Sequence, residues 1–137
     1  MTRLPEKKVV TCFLESQGEV LILRRSRRVG TYQGKWAGVS GYMEKAPDAQ
    51  ALQEIKEETS LSEADVELVR KGKPLSVKDE ALGVTWVVHP YLFHVKDRNK
   101  IKLDWEHKEA RWIKTQEMAD YPTVPGLQEA LARVYHK

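Results

Sequence analysis

With 137 residues and 41% hydrophobic content, the chain has material for one globular core, and a single domain over 1–137 is expected. No apolar run approaches the roughly 20 residues of a membrane span, and the N-terminal MTRLPEKK has no apolar signal core, so a soluble, cytoplasmic protein without a membrane partner is expected. A net charge of +3 and a pI near 8.9 favour anionic ligands only weakly, and one cysteine, Cys12, excludes an internal disulfide.

Residues 8–15 and 19–25 are two runs rich in β-branched residues joined by Ser16, Gln17 and Gly18, which predicts a hairpin. Gly30, Gly34, Gly38 and Gly41 around Trp36 predict a loop leading into a short strand, where the backbone can approach a ligand closely. From Pro47 the spacing of Ala51, Leu52, Ile55 and Thr59 predicts a helix that ends near Ser60, with Pro47 at its first position. Residues 66–70, 75–78 and 82–96 read as strands, and Pro90 as an edge, bulge or bend in the last of them. Residues 100–104 and 110–114 read as short strands around the acidic connection DWEHKE. A short helix at 116–119 and a C-terminal one from 125 to 135, with Leu127, Leu131 and Val134 on one face, complete the chain. This order points to a mixed sheet covered by helices, an α/β or α+β sandwich.

The chemistry concentrates on the first helix. At about 100° per residue, Glu54, Glu57 and Glu58 share one face. Like charges at these spacings repel, so either the face is solvated beside Lys56 or a hard, oxygen-seeking cation such as Mg2+ sits there. Arg24, Arg25, Arg27 and Arg28 form a basic group that reads as a charged turn or as a phosphate contact.

From Gly34 to Leu61, GKWAGVSGYMEKAPDAQALQEIKEETSL resembles the signature of the Nudix hydrolases, a glycine-led loop entering a helix that ends R-E-U-x-E-E-x-G-U, where U is a bulky aliphatic residue. The tail here is Gln53-Glu54-Ile55-Lys56-Glu57-Glu58-Thr59-Ser60-Leu61, and the later Glu106–Ile113, EHKEARWI, is similar to a segment common in that family. The resemblance implies an α/β/α sandwich with a mixed sheet. It also implies Mg2+-dependent cleavage, with Mn2+ as an alternative, of the diphosphate linkage in a nucleoside diphosphate derivative or a nucleoside triphosphate. It assigns Glu54, Glu57, Glu58 and the Gly41 carbonyl as metal ligands, and leaves Glu54, Glu106 and Glu109 to compete for the general base. Arg24, Arg25 and Arg28 become phosphate contacts, although strand alternation lets only one of the first two face a cleft. Trp36, Tyr42, Trp86 and Tyr91 become candidates for stacking a base, or else core aromatics. His107 either touches substrate or caps the surface.

The chain also departs from the signature. It is two residues short between Glu44 and Pro47, where the family carries a Gly-Glu pair, and Gln53 replaces the arginine that commonly pairs with the missing glutamate. Ser60 stands where a glycine would take a left-handed conformation, at a cost of roughly 1 kcal/mol. A module that binds a nucleotide or sugar phosphate without cleaving it is therefore a second reading. RNA binding or cap removal ranks third, since the chain lacks an aromatic-rich RNA-binding strand motif and a long basic tail. Homodimers are frequent in the family, but nothing in the sequence requires one.

Overall fold

Alternation along the first strand sorts the core into two layers. In the computed structural model, which describes residues 3–135, β1 (Glu6–Ser16) sends Val10, Cys12 and Leu14 into one buried cluster and Phe13 into another. It turns into β2 (Glu19–Arg25) through Gln17 and Gly18, both at positive φ, as a tight two-residue hairpin requires. The two strands stay registered only at Glu15↔Val20 and Ser16↔Glu19. Beyond them β4 (Val39–Tyr42) pairs along β1, while β3 (Trp36–Ala37) and β8 (His107–Ile113) pair with β2.

On its other edge β1 runs parallel to β7 (Val84–Val95), from Glu6↔Thr85 to Glu15↔His94. The far side of β7 is shared by β6 (Leu75–Asp79), opposite Val84–Val88, and β5 (Val66–Lys71), opposite Tyr91–Val95. Pro90 falls between these two partners. Its carbonyl accepts the Gly72 N–H at 3.0 Å, so its nitrogen faces the same seam, where no strand asks for a donor. The expected edge, bulge or bend is instead a seam in a central strand.

Helix α1 (Pro47–Thr59) covers one face of the sheet through Ala51 and Ile55, and α2 (Leu127–Ala132) covers the other through Leu127, Ala130 and Leu131. The result is a mixed sheet between helices, the expected α/β/α sandwich. Among the described residues, no helix is long and apolar enough to cross a membrane.

Three expected elements differ. Residues 100–104 form no strand: a 3-10 turn over Arg98–Lys100 is capped by the Asp97 side chain, and Ile101 and Leu103 then pack half-buried against the α1-side cluster. The apolar alternation that suggests a strand is satisfied there by packing alone. β8 starts at His107 rather than 110, because β2 continues to Arg25 and offers it partners that far. The last helix begins after Gly126, whose φ of 81° breaks the helical path from Pro125, and ends at Ala132.

Ser60 does take the left-handed conformation, at φ 69°, and its N–H closes α1 on the Lys56 carbonyl at 3.0 Å. Its hydroxyl donates to the Lys102 carbonyl at 3.3 Å, which offsets part of the strain. Ser60→Gly should therefore raise stability by only about 0.5–1 kcal/mol. Urea unfolding checks this, and a loss of stability would show that the Lys102 contact outweighs the backbone strain.

Candidate active site

Helix α1 buries two adjacent stripes. Ala51, Ile55 and Thr59 form an apolar one, and Gln50, Glu54 and Glu58, each one position earlier, form a polar one that is also buried. Residues 54 and 55 lie only about 100° apart on a helix, so packing the apolar stripe against the sheet draws the glutamates in with it. The three signature glutamates thus share a side of α1 but not an environment. Glu58 is 2% exposed and Glu54 is buried, while Glu57 stays exposed and accepts an N–H from Gln53 at 3.0 Å.

The strand under this helix is shaped for the carboxylates. A Cβ placed on Gly41 of β4 would overlap the Glu54 carboxylate, so only glycine leaves room for it. Oε1 of Glu58 meets the Ser40 N–H at 3.4 Å and His107 Nε2 at 3.4 Å. Oε2 of both Glu54 and Glu58 is buried with no hydrogen-bond partner among the described residues. Burial first, then repulsion from Glu57, pushes the Glu54 carboxyl up to about 7. Burial, then the Glu54 charge, also raises Glu58 well above the usual carboxylate range.

A cavity of about 360 Å3 opens beside Glu54 and runs from the carboxylates to an aromatic end. Among the described residues its wall carries Glu44, Glu54, Glu57 and Glu106, but not Glu58, against a single cation, Arg25. The Arg25 guanidinium is fixed by its Nε to the Thr31 carbonyl at 2.9 Å and by Nη2 to the Thr31 hydroxyl at 3.3 Å. Burial lowers its pKa, and the nearby Glu106 and Glu58 push it back up. Alternation along β2 sends the Arg24 and Arg25 side chains to opposite faces, while the register shift beside them leaves the extra residue, Lys108, on β8. Glu106 is tethered to the end of β2 because its carbonyl accepts the Ser26 N–H at 2.8 Å. Burial and the charge of Asp104 raise the Glu106 carboxyl, opposed by Arg25.

Several sequence candidates lie elsewhere. Arg24 bonds Glu109 at 3.0 Å and the Gly34 carbonyl at 3.2 Å, so neither it nor Glu109 lines the cavity. Arg28 is exposed over the Trp105 ring, 5.9 Å from its centroid, and is also absent from the wall. Trp36 is 5% exposed and packs edge-on against Tyr121 at 5.4 Å, making it a core residue instead of a stacking platform. Tyr91 is likewise buried, with its hydroxyl donating to Asp48 at 2.6 Å. Of the four aromatic candidates, Tyr42 and Trp86 reach the cavity, with ring centroids 6.0 Å apart.

Sequence reasoning missed two contributors, Tyr32 and Gln50, and gave His107 a different place. Tyr32 joins the aromatic end, accepting from Trp86 Nε1 at 2.9 Å and donating to Asp79 at 2.5 Å. Gln50 is buried and accepts the Glu44 N–H at 2.9 Å, which anchors the shortened loop to α1. His107 is buried, with Nδ1 3.0 Å from Asp104 Oδ1, so it is neither a surface cap nor a group on the cavity wall. Of the two missed residues, only Gln50 carried a signal, its i,i+4 spacing ahead of Glu54; the places of Tyr32 and His107 depend on long-range pairing.

Since the nearest atoms to a Cβ on Gly41 belong to the flexible Glu54 side chain, Gly41→Ala should cost no more than about 1 kcal/mol of stability. It should also displace Glu54 from the cavity. Thermal unfolding and a crystal structure of the variant check both, and an unmoved Glu54 in a fully stable variant would contradict the expectation.

The fold has parallels among known proteins. The NUDIX domain model matches residues 5–134. The chain is similar to the MutT protein from Methanosarcina mazei Go1 (21% identity, TM-score 0.75, covering 97% of this chain and 95% of that one). It is also similar to a C. elegans Ap4A hydrolase (16% identity, TM-score 0.73, covering 93% of each). A third relative in structure is a MutT NUDIX hydrolase from Burkholderia pseudomallei (20% identity, TM-score 0.73, covering 95% of this chain and 98% of that one). At these identities the structural likeness establishes the shared fold.

Proposed function

Because the chain belongs to the Nudix family, we propose that it is a Mg2+-dependent hydrolase cleaving the diphosphate linkage of a nucleoside diphosphate derivative or a nucleoside triphosphate. One observation carries this reading: Glu54 and Glu58 each keep a buried carboxylate oxygen without a partner among the described residues, and Glu54 lines a cavity whose wall also holds the carboxylates of Glu44, Glu57 and Glu106. Buried unpaired carboxylates cost several kcal/mol unless something positive joins them. Oxygen donors of this kind fit a hard divalent cation. Among the described residues no three Asp, Glu, His or Cys side chains converge tightly enough to enclose an ion by themselves. The Gly41 carbonyl, water and substrate oxygens are the natural remaining ligands for a cation that retains much of its hydration.

Glu54, Glu57 and Glu58 would hold Mg2+, with Mn2+ able to replace it. Such an ion, when bound, polarises the phosphoryl oxygens and eases deprotonation of the attacking water. Arg25, pre-set by Thr31, offers its guanidinium to the diphosphate, a geometry suited to paired oxygen acceptors. Glu54 and Glu106 both stand on the cavity wall and remain the two candidates for the group that takes the proton of attacking water. Glu109, held by Arg24 away from the cavity, drops out of that competition. At the other end Tyr32, Tyr42 and Trp86 offer apolar ring surface to the nucleoside, with Tyr42 51% exposed.

31P NMR of nucleoside triphosphates and nucleoside diphosphate conjugates, incubated with the protein and Mg2+, tests the reading. Loss of anhydride phosphorus signals with growth of monophosphate signals is expected for at least one substrate. Saturable binding across the panel with no turnover would favour the binding-module reading instead.

A further inference from the structure

On the reading that Glu58 is a metal ligand, we propose that His107 is a positioning residue that fixes the Glu58 carboxylate by bridging it to Asp104. The imidazole side chain is 2% exposed and spans the two carboxylates, with Nε2 3.4 Å from Glu58 Oε1 and Nδ1 3.0 Å from Asp104 Oδ1. It reaches Glu58 from β8, while the Ser40 N–H reaches the same oxygen from β4. Glu58 Oε1 is therefore flanked from two strands, by a long N–H bond from Ser40 and by the edge of the imidazole, and among the described residues Oε2 is left without a hydrogen-bond partner. A carboxylate turns as one plane, so confining Oε1 aims Oε2.

The bridge also organises the segment that carries Glu106. Asp104 lies two residues before it, and the Asp104 carbonyl accepts the His107 N–H at 3.4 Å, closing a turn across Trp105 and Glu106. His107 thus couples two otherwise separate pieces, the helix glutamate and the loop glutamate on the cavity wall. It does not line the cavity, so its action runs through Glu58 and Glu106. Partners behind a ligand typically alter metal affinity 10–100-fold when removed, because they set the ligand's orientation.

The test is Mn2+ affinity by electron paramagnetic resonance on the full chain, comparing wild type, His107→Leu, His107→Gln and Asp104→Asn, with metal-free urea unfolding in parallel. His107→Leu should weaken Mn2+ binding about 10–100-fold. His107→Gln, which keeps a polar side chain between the two carboxylates, should recover most of that loss, and Asp104→Asn should show a smaller one. A residue that only stabilises the fold would shift the unfolding midpoint without this ordering of affinities. If His107→Leu does not fold, the glutamine and Asp104→Asn variants carry the comparison. Equal Mn2+ affinity in the folded variants and wild type overturns the positioning role and leaves the proposed hydrolase standing. Absence of Mn2+ binding in wild type overturns the metal reading and this inference with it.

Discussion

Glu58→Gln is expected to lower Mg2+-dependent hydrolysis by at least about 100-fold while leaving the fold intact. The side chain is buried, its Oε1 lies near the Ser40 N–H and His107, and its Oε2 has no partner among the described residues. Glutamine keeps the volume and replaces the charge that a cation needs. Because the metal-free carboxylate is repelled by Glu54 and desolvated by burial, the neutral amide should also make the metal-free variant more heat-stable than wild type at pH 8. Activity assays and thermal unfolding in chelator together decide the matter. A variant as active as wild type, or one that unfolds earlier without metal, would show that Glu58 serves only packing.

The second large effect is on stability against pH. In the metal-free protein the Glu54 carboxyl titrates near 7, against an ordinary value of 4.5. Between these two pH values the native chain holds a proton that the unfolded chain has released, so folding becomes less favourable as pH rises. The stability is fully present below about 4.5 and falls by on the order of 2–3 kcal/mol as pH reaches about 7. Glu58, raised in the same direction, adds to the fall. Saturating Mg2+ stabilises only the folded state and does so most where the carboxylates are ionised, so it should restore stability at pH 8 more than at pH 5. Urea midpoints across this range, with Mg2+ and with chelator, measure both. A metal-free protein that gains stability from pH 5 to 7 would mean that the carboxylates are paired by groups other than a cation.

Much of this site could be read from the sequence because it is local. The helix from Pro47, the grouping of Glu54, Glu57 and Glu58, and the rule that only one of Arg24 and Arg25 faces the cleft all follow from helical or strand periodicity, and the structure keeps them. The signature gave Gly41 its place, while the reason for it, the Glu54 carboxylate lying where a Cβ would be, emerges only in three dimensions. Trp36 and Trp86 have similar settings in the sequence, yet one is sealed against Tyr121 and the other opens onto the cavity. That difference is set by how the layers stack, which no short-range pattern encodes. His107 is harder still. Its role depends on β8 starting early enough to carry it under α1, and that start is fixed by pairing with β2, more than 80 residues earlier. The shortened loop is the reverse case: its missing residues were plain to see, whereas the Gln50 contact that anchors what remains was not.

Anomalous diffraction from a crystal soaked in Mn2+ bears most directly on whether the buried carboxylates form a cation site. The expected result is a peak within about 2.0–2.6 Å of Glu58 Oε2 and Glu54 Oε2, beside the cavity that Arg25 and Glu106 also line. A strong peak elsewhere, with those two oxygens still unpartnered, would contradict it.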